Sequence, residues 1–512
     1  MGKGPNSGPW SCSLRLHPVI IRFAQFEQVV GEEALKFRST RRLVVGLAAL
    51  AAVALVTPTF AASPVFTWDG FYLGANLGFR ASAAAWPVPD GFVPMSYDYS
   101  SIGVRGGLHG GYNWQFAPRW VAGIEADVSF GDHDTRQANF FPGVVGVIFP
   151  IAPGEFSAIK LKWDGSLRGR LGYLVTPSTM VFGTAGLAWQ QVELNVQCTF
   201  FAGCPAAGHG ETIRPGWTVG GGIETAITGN WFARAEYRYA DFGKFNIPLT
   251  FLGATAGVPI EVATHEASLG LSYRFGAQAA PPAARPEDTT MYHWSGFHVG
   301  ASAGARFTDA HWVTQSAAGF VLDSTNYANY NGTSFRGALL AGYDWQIAAR
   351  WIAGLEADVG VGDKKTTLSG FLPGLSGSIP GGPILPGDKS SIRTTWDVSV
   401  RARLGYLLRP DLLVYGTGGI AWMRVEANST CGALTCFTVE SPTDTQTLTG
   451  WTIGGGGETK LARNWRARAE YRYADFGIMH SQFGYFGVGT LADVDIRVRT
   501  HTGQFALIYD FN

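Results

Sequence analysis

Two segments set arginine and glutamate at every second position. Residues 231–239 read WFARAEYRY, which puts Arg234, Glu236 and Arg238 on one face. Residues 465–473 read WRARAEYRY, which puts Arg466, Arg468, Glu470 and Arg472 on one face. Further charges keep the same rhythm: Glu125 and Asp127, Arg168 and Arg170, and Glu224 in the first half; Glu356 and Asp358, Arg401 and Arg403, and Glu458 in the second. Interleaved carboxylates and guanidinium groups can exchange protons in acid–base catalysis, line an ion path, or neutralise one another in a closed space. Catalysis would also need a positioned nucleophile or base. No histidine or serine nucleophile is read in the same register, the ten histidines are scattered, and HExxH, GxSxG and Walker A patterns are absent. The residues therefore point to no enzyme, no metal site and no cofactor.

Strict period-two alternation is the signature of a β-strand. In 231–239 the opposite face carries Trp231, Ala233, Ala235, Tyr237 and Tyr239. Eight strands are expected in the first half, near 68–80, 104–114, 119–131, 159–175, 179–196, 216–228, 231–242 and 263–275. Short turns at 115–118, 176–178 and 228–230 alternate with long connections at 81–103, 132–158, 197–215 and 243–262. Short turns on one side and long loops on the other describe an antiparallel barrel that shows its apolar face to lipid. A soluble barrel, apolar inside and polar outside, is the competing arrangement. Eight strands leave an interior just wide enough to be filled by side chains, so the inward charges read as an internal plug of ion pairs. A gated ion path is the sharper alternative. Gly220–Gly222 and Gly454–Gly457 read as bends within strands and not as phosphate loops, because no helix follows them.

The whole pattern occurs twice. WDGFYLGANLGF from Trp68 returns as WSGFHVGASAGA from Trp294, and GWTVGGGIETAITGNWFARAEYRYADFG from Gly216 returns as GWTIGGGGETKLARNWRARAEYRYADFG from Gly450. The spacing of roughly 225–235 residues is far beyond a solenoid period, so the repeated unit is a domain. Composition agrees with two lipid-facing barrels. Charged residues are 15% of the 512, aromatics 13%, and glycines number 68. Neither repeat contains the apolar run of ~20 residues that a helical span requires. Thirty-nine basic residues balance thirty-nine acidic ones, which gives no reason to expect nucleic acid as a partner.

Five segments follow. Residues 1–37 have no assigned role and are consistent with a start codon placed too early. Residues 38–62 read as a signal peptide, with Arg41-Arg42, the apolar run 43–56 and cleavage at Ala61 or Ala62. Residues 63–275 and 292–512 are the two barrels, joined by a Pro/Ala-rich linker at 276–291. Export favours disulfides, so Cys198 with Cys204 and Cys431 with Cys436 are candidate pairs, each within one long loop.

WDGFYLGANLGF, RGRLGYL, VFGTAGLAW and WFARAEYRYADFG resemble the porin-family, opacity-like outer-membrane surface antigens of alphaproteobacteria. The resemblance spans 66–275 and 292–511. It implies eight-stranded barrels similar to the OmpA membrane domain, with roles in envelope integrity and host exposure and, in some members, haem binding. It also implies partners: outer-membrane lipid, the barrel-assembly machinery, and host or envelope surface ligands. Gly270, Tyr273 and Phe275 match the glycine–aromatic–aromatic signal read by that machinery. Tyr509 and Phe511 match it in the second copy, where Ala506 replaces the glycine. The tandem duplication departs from the single barrel usual in the family. The sequence thus predicts an all-β, exported outer-membrane protein: two tandem antiparallel eight-stranded transmembrane β-barrels with a structural, surface-exposed role. The alternatives are a porin-type channel, formed by one sixteen-stranded barrel or by gated small ones, and a surface receptor or haem-binding protein using the long loops.

Overall fold

The computed structural model describes residues 67–87, 96–131, 133–138, 156–198, 206–251, 253–275, 293–317, 320–321, 327–373, 375–376, 379–380, 388–430, 443–484 and 491–511. The signal segment with Ala61 and Ala62, the linker, and Cys204, Cys431 and Cys436 lie outside these residues. Every element among the described residues is a strand. The first repeat contains β1 (Gly70–Pro87), β2 (Ser96–Asp98), β3 (Ser101–Ala117), β4 (Trp120–Phe130), β5 (His133–Ala138), β6 (Phe156–Thr176), β7 (Thr179–Cys198), β8 (Ala206–Thr228), β9 (Trp231–Phe251) and β10 (Ala254–Arg274). The second contains β11 (Gly296–Ala317), β12 (Phe320–Val321), β13 (Tyr327–Asn329), β14 (Gly332–Ala348), β15 (Trp351–Ser369), β16 (Leu375–Ser376), β17 (Ile379–Pro380), β18 (Lys389–Arg409), β19 (Leu412–Thr430), β20 (Thr443–Ala462), β21 (Trp465–Gly484) and β22 (Leu491–Asp510).

Eight long strands of each repeat close on themselves. In the first, neighbours run β1–β3–β4–β6–β7–β8–β9–β10, and β10 pairs back to β1. In the second they run β11–β14–β15–β18–β19–β20–β21–β22, and β22 pairs back to β11. Two separate rings replace the sixteen-stranded alternative. Closure extends past the last strand: the Phe275 amide donates to the Phe71 carbonyl at 2.8 Å, and the Phe511 amide to the Phe297 carbonyl at 3.0 Å.

The two rings have the same stagger. Following paired residues from Leu73 through Gly110, Ala126, Leu167, Leu187, Trp217, Asp241 and Ala263 returns to β1 at Ala83, ten residues along. The walk from Val299 through Ala341, Ala357, Val400, Ile420, Trp451, Asp475 and Arg499 returns to β11 at Asp309, again ten residues along. With ordinary strand spacings, that stagger over eight strands tilts them by about 40°.

Large apolar side chains cover the outer walls, including Leu73, Leu77, Leu108, Ile124, Leu167 and Leu271 in the first ring and Leu339, Leu355, Val400, Leu404 and Ile453 in the second. Exposure on this scale belongs against lipid. Aromatic pairs mark the edges of the band. Trp231 meets Tyr273 at 5.2 Å and Trp465 meets Tyr509 at 5.1 Å near the short turns. Trp217 meets Tyr239, and Trp451 meets Tyr473, both at 5.4 Å, at the other edge. Trp231 and Tyr239 lie eight residues apart on one tilted strand, a height of about 20 Å.

The strands continue well beyond this band, which corrects one expectation. Residues 243–262, read from sequence as a long loop, are almost entirely the paired ends of β9 and β10. Strand β8 likewise begins at Ala206, within the expected loop 197–215. The reason is an inversion of the two faces. Below Asp241 the even-numbered residues of β9 point inward; above Gly243 it is Phe245, Ile247 and Leu249 that are buried. A bulge at Asp241-Phe242-Gly243 makes the switch: Gly243 has φ +64°, and its amide donates to Asp241 Oδ1 at 2.8 Å. The second copy repeats it, with Gly477 at φ +74° and its amide 2.9 Å from Asp475 Oδ1. One extra residue reverses every later side chain. Polar residues thus face outward above the membrane, and apolar ones fill the barrel top.

The bulge geometry predicts a split response at Gly477. A Cβ there meets nothing within 4 Å, so the cost of a substitution is backbone strain alone. Gly477→Val should lower stability by about 1–2 kcal/mol, whereas Gly477→Asn, whose side chain tolerates the left-handed region, should stay near wild type. Urea-unfolding midpoints of the vesicle-refolded protein measure both, and equal midpoints for the valine and asparagine variants would refute the bulge's role.

Candidate functional site

The barrel interiors are the site that the alternating charges define. In the first barrel the inward side chains form three layers. Nearest the short turns, Trp68, Val121, Leu174, Met180, Phe182, Ala226 and Phe232 make an apolar floor. The Trp68 indole N–H donates to the Pro177 carbonyl at 3.1 Å, which draws the β6–β7 turn under the barrel. At the opposite end Trp86, Ile159, Leu161, Val192, Leu194, Phe242, Phe245, Ile247, Leu249, Val258, Ile260 and Val262 belong to a second apolar cluster.

The charges lie between these layers. Glu125 accepts from Arg168 at 2.5 Å, from Arg234 at 2.9 Å and from the Tyr72 hydroxyl at 2.7 Å. Glu236 takes Arg234 at 2.7 Å and also Arg168. Glu224 takes Arg170 at 2.8 Å. Asp127 holds Arg238 with both oxygens at 2.9 Å. The second barrel repeats this. Glu356 receives Arg401 at 2.7 Å and Arg468 at 2.8 and 2.5 Å. Glu458 receives Arg403 at 2.7 Å and Arg466 and Arg468 at 2.8 Å. Glu470 receives Arg401 at 2.9 Å, and Asp358 receives Arg472 at 2.7 Å. The second barrel has an apolar floor of Trp294, Ile352, Leu407, Leu413 and Tyr415, and an apolar top that includes Trp312, Ile392, Met423, Val425, Phe476, Met479, Val494 and Ile496.

The alternation picked out every one of these charged residues, but it missed others in the same networks. Arg80, Arg105, Asp164, Glu266 and Arg274 complete the first: Arg80 meets Asp164 at 2.6 Å and Arg238 meets Glu266 at 2.7 Å. Arg306, Arg336, Asp344, Asp397, Lys460 and Asp510 complete the second: Arg306 meets Asp397 at 2.7 Å and Lys460 meets Asp510 at 2.5 Å. Among the described residues the first network thus holds seven arginines and six carboxylates, and the second eight cations and seven carboxylates. A signal for the missed residues was present, because Arg80 and Arg105 occupy the same places in their strands as Arg306 and Arg336.

A further expectation is corrected here. Histidine and serine do share the inward register: His109 Nε2 lies 2.8 Å from Ser272 Oγ, and His298 Nε2 lies 3.3 Å from Glu356. Each is sealed in its network with almost no exposure. No group of three or more His, Cys, Asp and Glu side chains suited to a metal ion occurs among the described residues.

Cys198 ends β7 buried and disulfide-bonded. The terminal aromatics face outward near the short turns, with Tyr273 against Phe275 and Tyr509 against Phe511, both at 5.3 Å. Gly270 faces inward, where an added Cβ would lie 3.4 Å from His109 Cε1.

A family profile described as "Outer membrane protein beta-barrel domain" matches residues 46–275 and again 277–511. The chain belongs to this outer-membrane β-barrel family. It carries the domain twice, and the outer membrane is its location. The 31 kDa outer-membrane immunogenic protein of Brucella melitensis is 32% identical over 230 residues, covering 43% of this chain and 88% of that protein. The 22 kDa outer membrane protein of Rhizobium leguminosarum bv. viciae is 31% identical over 179 residues, covering 35% of this chain and 66% of that one. Among solved structures, the Pseudomonas putida toluene transporter TodX aligns over 90% of this chain and 93% of its own, at 11% identity and a TM-score of 0.26.

The interior networks of these family barrels predict a strong contrast between buried and exposed charge. Glu125→Gln leaves Arg168 and Arg234 short of a buried counter-charge and should cost about 3–5 kcal/mol. Asp363→Asn breaks an exposed pair with Arg393, at 2.7 and 2.6 Å, and should cost under about 1 kcal/mol. Denaturant midpoints, with heat-modifiable gel mobility as the folding check, measure both. Similar losses for the two variants would contradict the sealed-interior reading.

Proposed function

We propose that this chain is a non-conducting, structural outer-membrane protein that presents its extended barrel tops and loops at the cell surface, and that it performs no enzymatic reaction. One observation carries the reading: each interior is closed at three successive levels, by an apolar floor, an ion-paired charge network and an apolar top. An ion crossing it would have to displace both apolar layers and leave its own charge poorly solvated between them. The histidine, serine and carboxylate groups that could do acid–base work lie between these layers, where a substrate has no entry. The names of the relatives, outer-membrane immunogenic proteins, support surface presentation for those proteins, and we extend it to this chain. The outward terminal aromatics Tyr273, Phe275, Tyr509 and Phe511 support recognition by the barrel-assembly machinery, with lipid and surface ligands as the remaining partners.

Single-channel recording of the refolded, signal-free protein in a planar bilayer tests the reading. The expected result is a quiet bilayer or brief small flickers. Large, stable, reproducible steps would overturn it in favour of a channel.

A further inference from the structure

Outward residues of a membrane barrel belong in lipid, as Leu171 and Leu404 do, with exposures of 50% and 52%. Four outward residues of the first barrel break this rule. Ala81 on β1, Tyr237 on β9, and Ala263 and His265 on β10 have exposures of only 6–8%. The second barrel is what covers this face. Phe79 stacks on Tyr471 with ring centroids 4.2 Å apart and planes 3° from parallel. A Cβ on Gly503 would sit 2.9 Å from the Ala267 Cβ.

These contacts are related by symmetry. Phe79, Ala267 and Tyr237 are paired neighbours across β1, β10 and β9. Ala305, Gly503 and Tyr471 are their counterparts across β11, β22 and β21. Equivalent residues meet at the centre, where Ala267 faces Gly503. They meet again beyond the membrane, where Asn331 Nδ2 donates to the Ser100 carbonyl at 2.8 Å, each residue directly preceding its own β14 or β3. At the short-turn end Arg409, entering the β18–β19 turn, donates to Ser178 Oγ of the corresponding β6–β7 turn at 3.0 Å. Elsewhere the contacts are reciprocal: β1 touches β14 while β11 touches β3, and β2 touches β15 while β13 touches β5. Contacts of i with j matched by j with i are the mark of an isologous two-fold interface.

We propose that the two barrels of one chain form a tethered two-fold pair, packed wall to wall in the membrane through β1, β9 and β10 of the first and β11, β21 and β22 of the second. Association within lipid depends on close packing of small residues and on satisfied polar groups. Ala81, Ala263, Ala267, Ala305 and Gly503 supply the first. The second is supplied by two equivalent outward polar pairs, which would be poorly placed against hydrocarbon: Tyr237 hydroxyl with His265 and Tyr471 hydroxyl with His501, each at 2.7 Å. The linker does not impose the pairing. Residues 276–291, fully extended, reach at most about 58 Å, which leaves the barrels free to separate unless their walls attract.

Cysteine cross-linking in the full-length protein, expressed in cells, tests this. Ala267→Cys/Gly503→Cys reports the membrane level and Ser100→Cys/Asn331→Cys the level above it; Leu171→Cys/Leu404→Cys, on equivalent lipid-facing positions, is the control. A protease site in the linker and peptide mapping identify bonds that join the two halves of one chain. Heat-modifiable mobility confirms folding. Both test pairs should give about tenfold more intrachain product than the control, given the short reach of a disulfide. Folded protein in which both pairs link no better than the control, or link only between separate chains, would overturn the proposal. If one pair prevents folding, the other decides.

Discussion

Backbone hydrogen bonding in a medium without water is the constraint from which the rest follows. An unpaired amide or carbonyl in hydrocarbon costs several kcal/mol, so each ladder must end where it began, at β10 on β1 and at β22 on β11. Closure with eight strands and a ten-residue stagger fixes the tilt and the bore together. A bore of that width cannot be left empty, and the alternation of strands demands that its filling be whatever the lipid-facing residues are not. Polar filling in a dry space must then neutralise itself. The layered interior is thus the consequence of closure, and its charges are where the stability of the barrel is most easily lost.

The two copies show how tightly the charge balance is held. At the floor of the first barrel Arg274 stacks over Phe232 and Trp68, at 3.9 and 4.8 Å, beside Ala226. The corresponding positions of the second barrel hold Asp510, Arg466 and Lys460, and Lys460 and Arg466 both lie over Trp294. Three residues differ at once, yet each trio carries one net positive charge. The donor to the central glutamate also differs between the copies. Tyr72 reaches Glu125 in one barrel, and His298 takes the equivalent place against Glu356 in the other. Individual side chains are free to change so long as the sum over each interior does not, as where Glu266 gives way to Thr502 and Asn113 to Asp344.

This accounts for what was legible in the sequence. Period-two charge in segments such as WFARAEYRY exposed the strands, the barrel and the core of both networks, because there the alternation of faces coincides with an alternation of chemistry. It failed where the two separate. Arg80 and Arg105 are followed by small residues, at 81–85 and 106–107, whose side chains carry little facial signal. The barrel tops were hidden more thoroughly. Along β9 the apolar residues are mostly odd-numbered from Trp231 to Leu249, with Phe232, Ala240 and Phe242 the exceptions, but the Asp241–Gly243 bulge turns the later ones inward. The extended half of the strand is therefore written in the same phase as the lipid-facing half while serving the opposite face, and the Asp and Gly of the bulge read as a strand ending.

Duplication gives the paired arrangement a physical rationale. A face that packs against its own copy would let single barrels on separate chains pair with one another. Here the halves have diverged at the contact, with Phe79 on one side where Ala305 stands on the other. The aromatic has a ring to stack on in Tyr471, whereas the small Ala305 offers no such ring to the equivalent Tyr237. Two unlike faces on one chain, held by a short tether, meet at a high effective concentration. The tether thus makes the partner always present, and the divergence makes it the better fit, which together turn an association between copies into a feature of a single polypeptide.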